Sequence, residues 1–541
     1  MKIVLINPLK FQENLVKRNE VVSLTYLKQF LGNYGYNADI LELKMEEEVS
    51  RNELELWGIK KYDVIGISCY YPFNPLDLAT YIKKINSNAL IVAGGPMASL
   101  LYKELLFEKS PIDAVIINEG EWSLLELIQC FDYKRNVKNI QGVAIYNNGK
   151  IDFSRRMFEN ELDKFSYPYR EKGYFKRFIP TLISSRGCNG RCTFCSTRYT
   201  GNWRGRSPRN VYSEIQHIVI EHGEKHFQFV EPNFLHDGKR AVEITEYIMQ
   251  LPCDVTFDFA CRIDSILQHK ESIQQLKKAG AIKVLLGVEN FSDSILKKWK
   301  KDVRCNQIEE ALSILKKNKL AFSISLILFY PEVSLEELIF NIKEIEKLEI
   351  IYYIENLYNA LILIPGTQMN MSTQKKEWKF LSKEVEDIYR ECMRFREELN
   401  DIMNCFDILK SEYKLLFETN AYYKKYELNK LKQLLNLPTK KAQISKESIF
   451  YLNPRIAVEK EQEMYHCINE ETGIVIQIDE NIEKMMDYIK DKNIFSVIDD
   501  IGEISGEYKL QKSIILEWIC FLLRNRIVLI GDKVDEEVHN K

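Results

Sequence analysis

Apolar and polar positions along the first 150 residues change period repeatedly. Short apolar runs at Lys2–Ile6, Ala38–Leu43, Val64–Ser68, Ala89–Ala93 and Ala114–Ile117 read as strands. Between them lie stretches with helical spacing, such as Leu24, Tyr26, Leu27, Phe30 and Leu31, closed by Gly32 and Gly35, and a helix around Leu76–Ile85. Strands alternating with helices predict parallel βαβ units and a doubly wound sheet, whose ligands bind beyond the carboxyl ends of the strands. Asn7-Pro8, Ser68–Asn74, Gly94–Ser99 and Asn118–Glu121 fall at those ends. Each alone is an ordinary strand-to-helix turn; together they outline a crevice.

Residues 151–179 are rich in charge and aromatics and read as a linker. Alternation resumes with strands at Thr181–Ser184, Phe227–Val230, Val255–Phe259, Val284–Gly287, Phe322–Phe329 and Leu361–Ile364. Helices are expected at Asn210–His222, Ser272–Ala279 and Gln307–Lys317. This pattern predicts a partial (β/α) barrel over 180–375, with its site at the strands' carboxyl ends. Residues 376–445 read as a polar helical extension with a linker at Pro438–Lys441, and 446–541 as a small α+β unit. That tail is expected to hold a strand at Gly473–Ile478, helices at Ile482–Lys490 and Ser513–Leu523, and a closing strand at Ile527–Ile530. The fold class is therefore α/β, with residues 1–150 as the first domain.

A length of 541 residues fits several domains. The 75 Lys and Arg nearly cancel the 78 Asp and Glu, leaving −3, which argues against nucleic-acid binding through phosphate neutralisation. No apolar run reaches the ~18–20 residues of a membrane span, and the opening segment is too short for a signal-peptide core. A reducing cytoplasm is the expected location.

Nine of the twelve cysteines are scattered and read as packed apolar residues. The other three, Cys188, Cys192 and Cys195, form CxxxCxxC directly after a predicted strand. Their close spacing lets three thiolates converge from one short loop. Thiolates suit iron–sulfur clusters or zinc. A structural zinc site takes four protein ligands, whereas three thiolates on a cubane leave one iron open.

CxxxCxxC with Phe194 before the last Cys resembles the signature of radical S-adenosylmethionine (SAM) enzymes. Further stretches in order resemble that family: Val230-Glu231-Pro232, Ala260-Cys261-Arg262-Ile263-Asp264, Gly287-Val288-Glu289-Asn290, Tyr330–Glu337 and Ile364–Thr367. The resemblance implies a 4Fe–4S cluster on the three cysteines and SAM on the open iron. Cys188, Cys192 and Cys195 would be both metal ligands and catalytic. Phe194, Glu231, Arg262 and Glu289 are the implied SAM contacts, with a structural salt bridge as the competing reading for the charged three. An external electron donor is implied as well.

Residues 1–150 resemble the cobalamin-binding module that often precedes this barrel, through Asn7-Pro8, Gly66–Ser68, Gly94–Pro96 and Glu119–Glu121. Ser68, Gly94, Gly95 and Glu119 are the implied cobalamin contacts. The first histidine is His217, so no side chain of this domain is available as a histidine ligand to cobalt, and a relic scaffold stands as the alternative. The tail resembles the PqqD-type winged-helix domains that grip leader peptides, through Leu452-Asn453-Pro454 and Asn469–Gly473. Together these imply C-methylation of an unactivated carbon of a ribosomally made peptide, a small molecule being the other substrate class. Cyclisation, epimerisation or rearrangement without cobalamin is one alternative. RNA modification and a redox-sensing, peptide-binding scaffold are others.

Overall fold

The computed structural model describes residues 1–9, 18–44, 54–70, 73–135, 139–176, 178–372, 379–404 and 421–439. Beyond them it describes strand segments at 449–452, 456–461, 464–469, 475–478 and 528–531, and residues 483, 484 and 486. Tyr71-Pro72, Lys440-Lys441, Asn453-Pro454, the 470–474 stretch, Ser513–Leu523 and most of Ile482–Lys490 lie outside the described residues. The chain forms two compact units, one centred on Lys17–Thr256 with the return segment Ile362–Lys376, the other on Phe257–Leu361 and the chain from Glu377.

In the first unit, strands β1 (Ile3–Leu9), β2 (Ala38–Lys44), β3 (Val64–Ser68), β4 (Leu90–Gly94) and β5 (Ala114–Ile116) pair in parallel in the order β2-β1-β3-β4-β5. Successive residues of β1 serve opposite layers, as a strand's period of two requires. Ile3 and Leu5 pack with helices α1 (Val22–Asn33) and α4 (Glu121–Asp132), while Val4 and Ile6 pack with α2 (Pro75–Ile85) and α3 (Pro96–Leu105). Burial on both faces explains the continuous apolar runs. Helix α2 starts where Asn74 accepts from the Leu76 amide and Pro75 supplies a preset φ.

The sheet continues through two antiparallel strands, β6 (Val143–Asn147) and β7 (Lys150–Phe153). This hairpin corrects the expectation that the linker begins at 151. Its turn holds Asn148 and Gly149, both at positive φ (49° and 81°), the geometry that an Asn-Gly pair favours.

Further along the same unit, β8 (Thr181–Leu182) pairs in parallel with β11 (His226–Phe229). The expected strand to Ser184 stops two residues early. Ser184 donates its amide to Glu231, and its carbonyl accepts from the Arg206 amide and the Arg240 guanidinium, so its backbone has no ladder partner to seek. Strands β9 (Ser185–Arg186) and β10 (Arg204–Gly205) then pair antiparallel. Helices α5 (Pro208–His222) and α6 (Gly238–Ile248) start on the side-chain caps of Ser207 and Asp237.

A buried charge network fixes this region. Arg170 bonds both oxygens of Glu20 at 3.1 and 2.8 Å and Glu214 at 2.8 Å, and Arg206 closes on the other Glu214 oxygen. Glu20 accepts the Thr181 amide at 2.7 Å, and Arg170 and Arg206 donate to the carbonyls of Thr181 and Ile183.

In the second unit, β12 (Thr256–Arg262), β13 (Ala281–Glu289) and β14 (Ala321–Leu326) run parallel with helices between them. A capping box of Ser334 and Glu337 opens α11 (Leu335–Lys347), which follows α7 (Ile263–Gln268), α8 (Ser272–Lys278), α9 (Asp293–Lys298) and α10 (Cys305–Lys317). The expected strand at Leu361–Ile364 is absent. Ala360 makes one bridge to Phe329, after which the Ile364 amide turns back to the Ile362 carbonyl ahead of Pro365 and Gly366. Two helices, α12 (Lys383–Asn404) and α13 (Ala421–Leu434), lie in the stretch that reads as helical; Arg396 joins them by bonding Glu427 at 2.6 and 2.8 Å. In the tail, Ile456–Glu461, Met464–Asn469 and Val475–Ile478 form an antiparallel meander, and Ile449–Leu452 pairs antiparallel with Val528–Gly531.

Replacing Glu214 by Ala leaves two buried guanidinium groups short of a partner. Such a change is expected to lower the unfolding free energy by about 3–5 kcal/mol. Denaturant unfolding followed by circular dichroism measures it, and a loss near zero would show that the network contributes nothing.

Candidate active site

The CxxxCxxC segment lies in a loop whose stem is the β9–β10 pair. Gly187 enters the loop at a φ of 77°, and a Cβ there would fall 2.2 Å from the Asn202 carbonyl oxygen, so only glycine fits. The Cys188 amide donates to the Gly201 carbonyl at 3.2 Å, and the Gly190 amide points at the Cys188 sulfur at 3.3 Å. Asn189 accepts the Trp203 amide at 3.0 Å and meets His236 at 3.1 Å. Cys192 is buried, and Cys188, Cys195 and Phe194 are half-buried. All three thiols are free of disulfides. Among the described residues no three His, Cys, Asp or Glu side chains converge as they would on a single ion. A cubane makes a different demand, since each thiolate takes its own iron. Three thiols outside any disulfide, within eight residues of a tied loop and with a backbone amide on one sulfur, fit such a cluster with one iron left open.

Beside this loop the first unit encloses a cavity of about 540 Å³. One wall is the carboxyl end of the parallel sheet: Gly66–Ser68, Gly94–Pro96 and Asn118–Glu121. The facing wall comprises Ile183, Ser185–Gly187, Ser196, Thr197 and Thr200 from the cysteine loop and its stem, together with Val230–Pro232. The structure thus brings Ser68, Gly94, Gly95, Glu119 and Glu231 to one cavity. At Gly95 (φ 100°) a Cβ would sit 2.8 Å from the Cys69 carbonyl oxygen, so the backbone turn there requires glycine. The cavity is mostly apolar with backbone-lined turns at the strand ends, which suits a large planar ring system carrying polar edges.

Glu231 is buried, with its carboxylate on the hydroxyl and amide of Ser184. Burial pushes its pKa above the ordinary 4.5, against the opposing pull of the Ser184 bonds and Arg240. Glu119 takes two guanidinium groups, Arg204 at 2.9 Å and Arg186 at 3.4 Å.

Arg262 and Glu289 lie in the second unit. Arg262 forks onto Asp264 at 2.9 and 3.0 Å and donates to the Lys301 carbonyl. Glu289 ends β13 at a φ of 69°, with its carboxylate on Lys301 at 2.9 Å. A Cβ at Gly287 would meet both members of that pair, at 2.7 and 2.8 Å, so the glycine makes room for them. Ser184, Arg186, Arg204 and Lys301 were not legible as site residues. Their partners lie elsewhere in the sequence, and the one available signal was Arg186 two positions before Cys188.

Neutral Glu231 is the form that the fold favours, so its contribution is greatest below its unfolded pKa and is lost as pH rises towards its higher folded value. Glu231→Gln stays neutral throughout, and the Ser184 hydroxyl is free to turn and accept from the amide. The variant is expected to melt above wild type near pH 8 and to lose that advantage towards about pH 4. Thermal melts across that range test it; a variant less stable at every pH would contradict it.

A radical SAM superfamily model matches residues 182–345, and a B12 binding domain model matches residues 16–128. An uncharacterized methyltransferase of Pyrococcus horikoshii is 30% identical over 324 residues, covering 58% of this chain and 70% of that protein. The hopanoid C-3 methylase of Methylococcus capsulatus is 26% identical, covering 60% of this chain and 64% of its own length. The anaerobic magnesium-protoporphyrin IX monomethyl ester cyclase of Rubrivivax gelatinosus is also 26% identical, over 54% of this chain and 56% of the cyclase. Among solved structures, the cobalamin-dependent SAM radical enzyme OxsB with aqua-cobalamin and SAM bound superposes with a TM-score of 0.66 at 16% identity, covering 80% of this chain and 71% of that one. The radical SAM methyltransferase TsrM from Kitasatospora setae, with cobalamin and a [4Fe-4S] cluster, gives 0.57 at 14%, covering 70% and 82%. The matched domains carry a 4Fe–4S cluster, SAM and cobalamin as cofactors. With both domain models matched in order and a relative 30% identical along 70% of its length, this chain belongs to the radical SAM superfamily, as an enzyme with a B12-binding domain ahead of its radical SAM domain.

Proposed function

We propose that this enzyme is a C-methyltransferase that places a methyl group from SAM on an unactivated carbon. The observation that carries this reading is the single cavity walled on one side by the strand ends of the B12-binding domain and on the other by the cysteine loop. When bound, the cluster with SAM supplies a carbon-centred radical, and the corrin a transferable methyl group. The protein's part is to hold these groups side by side and keep water out. Cys188, Cys192 and Cys195 hold the iron; Glu231, with Ser184 and Arg240 behind it, offers an acceptor for an ammonium group at the cavity wall. Glu289, pinned by Lys301, and Arg262, forked on Asp264, are the proposed SAM contacts on the strand ends that follow. Ser68, Gly94 and Gly95 are the proposed corrin contacts.

A ribosomally made peptide is the proposed substrate class, supported by the antiparallel strands described in the tail, a kind of element to which an extended peptide can add. A second reading is favoured by the relatives that are cyclases: ring formation on the same cofactors without net methyl transfer.

The test is anaerobic reconstitution with iron, sulfide and cobalamin, followed by reaction with SAM and a reductant. Methyl transfer predicts both S-adenosylhomocysteine and 5′-deoxyadenosine among the products; 5′-deoxyadenosine alone would support the second reading. Cys188→Ala, Cys192→Ala and Cys195→Ala are each expected to abolish the cluster's visible absorption and lower SAM cleavage at least a hundredfold or so. A variant that kept both would remove that cysteine from the ligand set.

A further inference from the structure

The turn at Glu119-Gly120-Glu121 follows β5 and opens α4, and its two carboxylates reach across the cavity rim. Arg186 donates to Glu121 at 2.6 Å and pairs with Glu119 at 3.4 Å. Arg204 pairs with Glu119 at 2.9 and 3.1 Å. These arginines are register partners, facing each other across the β9–β10 stem that carries the cysteine loop. Each is also held from the side: Arg186 stacks over Phe165 at 4.8 Å and Tyr26 at 5.5 Å, and Arg204 over Phe158 at 4.9 Å. Arg204 further donates to the carbonyls of Glu159 and Thr200 at 2.7 and 3.2 Å. The side chains are mostly buried, with Glu121 only 6% exposed and Arg204 8%.

A lone surface ion pair adds little, because water screens it and its flexible side chains must be ordered. This arrangement differs in kind. Two carboxylates on one rigid turn meet two guanidinium groups on one rigid stem, so the four charges act as a clasp with one geometry. Arg186 hydrogen-bonds Glu121 through one arm of its guanidinium and holds Glu119 in an ion pair through the other, a two-armed reach that a point charge would not reproduce.

We infer that Glu119, Glu121, Arg186 and Arg204 are positioning residues that set the separation between the cavity's two walls, and hence the spacing between the group held at the sheet's edge and the iron held by the cysteine loop. The inference rests on the proposed function, in which methyl transfer needs those two groups at a fixed spacing. It assigns the glutamates to holding the protein's own arginines rather than to binding the corrin. A misplacement of about 1 Å in such a site costs on the order of a hundredfold in rate.

The test uses reconstituted holoenzyme with Glu119→Gln and Glu121→Gln combined, and separately Arg186→Lys, which keeps the charge and loses the fork. Lys83→Met, which breaks the Lys83–Asp113 pair beneath the same sheet, serves as a comparator for plain loss of stability. Iron and corrinoid content are measured first. Two readouts then follow: the magnetic broadening of the cob(II)alamin resonance by the reduced cluster, and the ratio of S-adenosylhomocysteine to 5′-deoxyadenosine. The expected result is normal iron and corrinoid content, an altered broadening, and a product ratio about tenfold lower, with Lys83→Met unchanged in both. Broadening and ratio equal to wild type in the clasp variants would overturn the inference. Loss of corrinoid with the cluster intact would overturn it too, since the carboxylates would then be ligand contacts. Wild-type enzyme that binds no corrinoid would instead bring down the proposed function, and the inference with it. Should the double variant fail to fold, Arg186→Lys carries the same readouts.

Discussion

Four buried charges govern where the chemistry can happen. Glu20, Arg170, Glu214 and Arg206 lie out of reach of water, so each depends on the others for solvation. Burial works against the charge on Glu214, but Arg206 and Arg170 outweigh it and hold its carboxyl below the ordinary range. At Glu20 the balance tips the other way and burial prevails over Arg170. No member can leave without stranding another. The network grips the backbone at Thr181 and Ile183, within four residues of the cysteine loop's stem, so the loop is launched from a fixed point. Hydrophobic packing alone would tolerate slippage there; hydrogen-bonded ions do not.

Backbone constraints refine what the charges fix. Gly187 and Gly95 stand where a Cβ would strike a carbonyl oxygen, one at the cysteine loop's entrance and the other at the sheet's edge. Glu289 holds a left-handed conformation without being glycine, and the bulge between Gly287 and Glu289 turns its carboxylate onto Lys301. Strain of this kind persists only where surroundings over-determine it. Here the buried ammonium of Lys301 and the space beside Gly287 do so.

The parallel sheet was legible because strands buried on both faces must be apolar throughout, and the cysteine loop because its ligands sit within eight residues. What the sequence concealed was pairing at a distance. Glu20 and Arg170 are 150 positions apart and Glu121 and Arg186 are 65 apart, so no local pattern joins them. The ion pairs of Glu119 with Arg186 and Arg204 likewise become visible only when the stem is folded against the sheet. Ser184 read as strand because its neighbours are apolar, yet its backbone serves Glu231, Arg206 and Arg240. The Asn148-Gly149 hairpin was readable from its turn chemistry but was hidden by the charged segment after it.

The stem beneath the cysteine loop has a bearing on how the cluster is installed. Small zinc modules gain their fold from the metal, because nothing else closes their ligand loops. Here the ends of the loop are joined by backbone pairing between Ser185–Arg186 and Arg204–Gly205, and the cost of bringing them together falls on the fold itself. The stem thus closes the loop by protein contacts, a constraint of a kind different from a metal's.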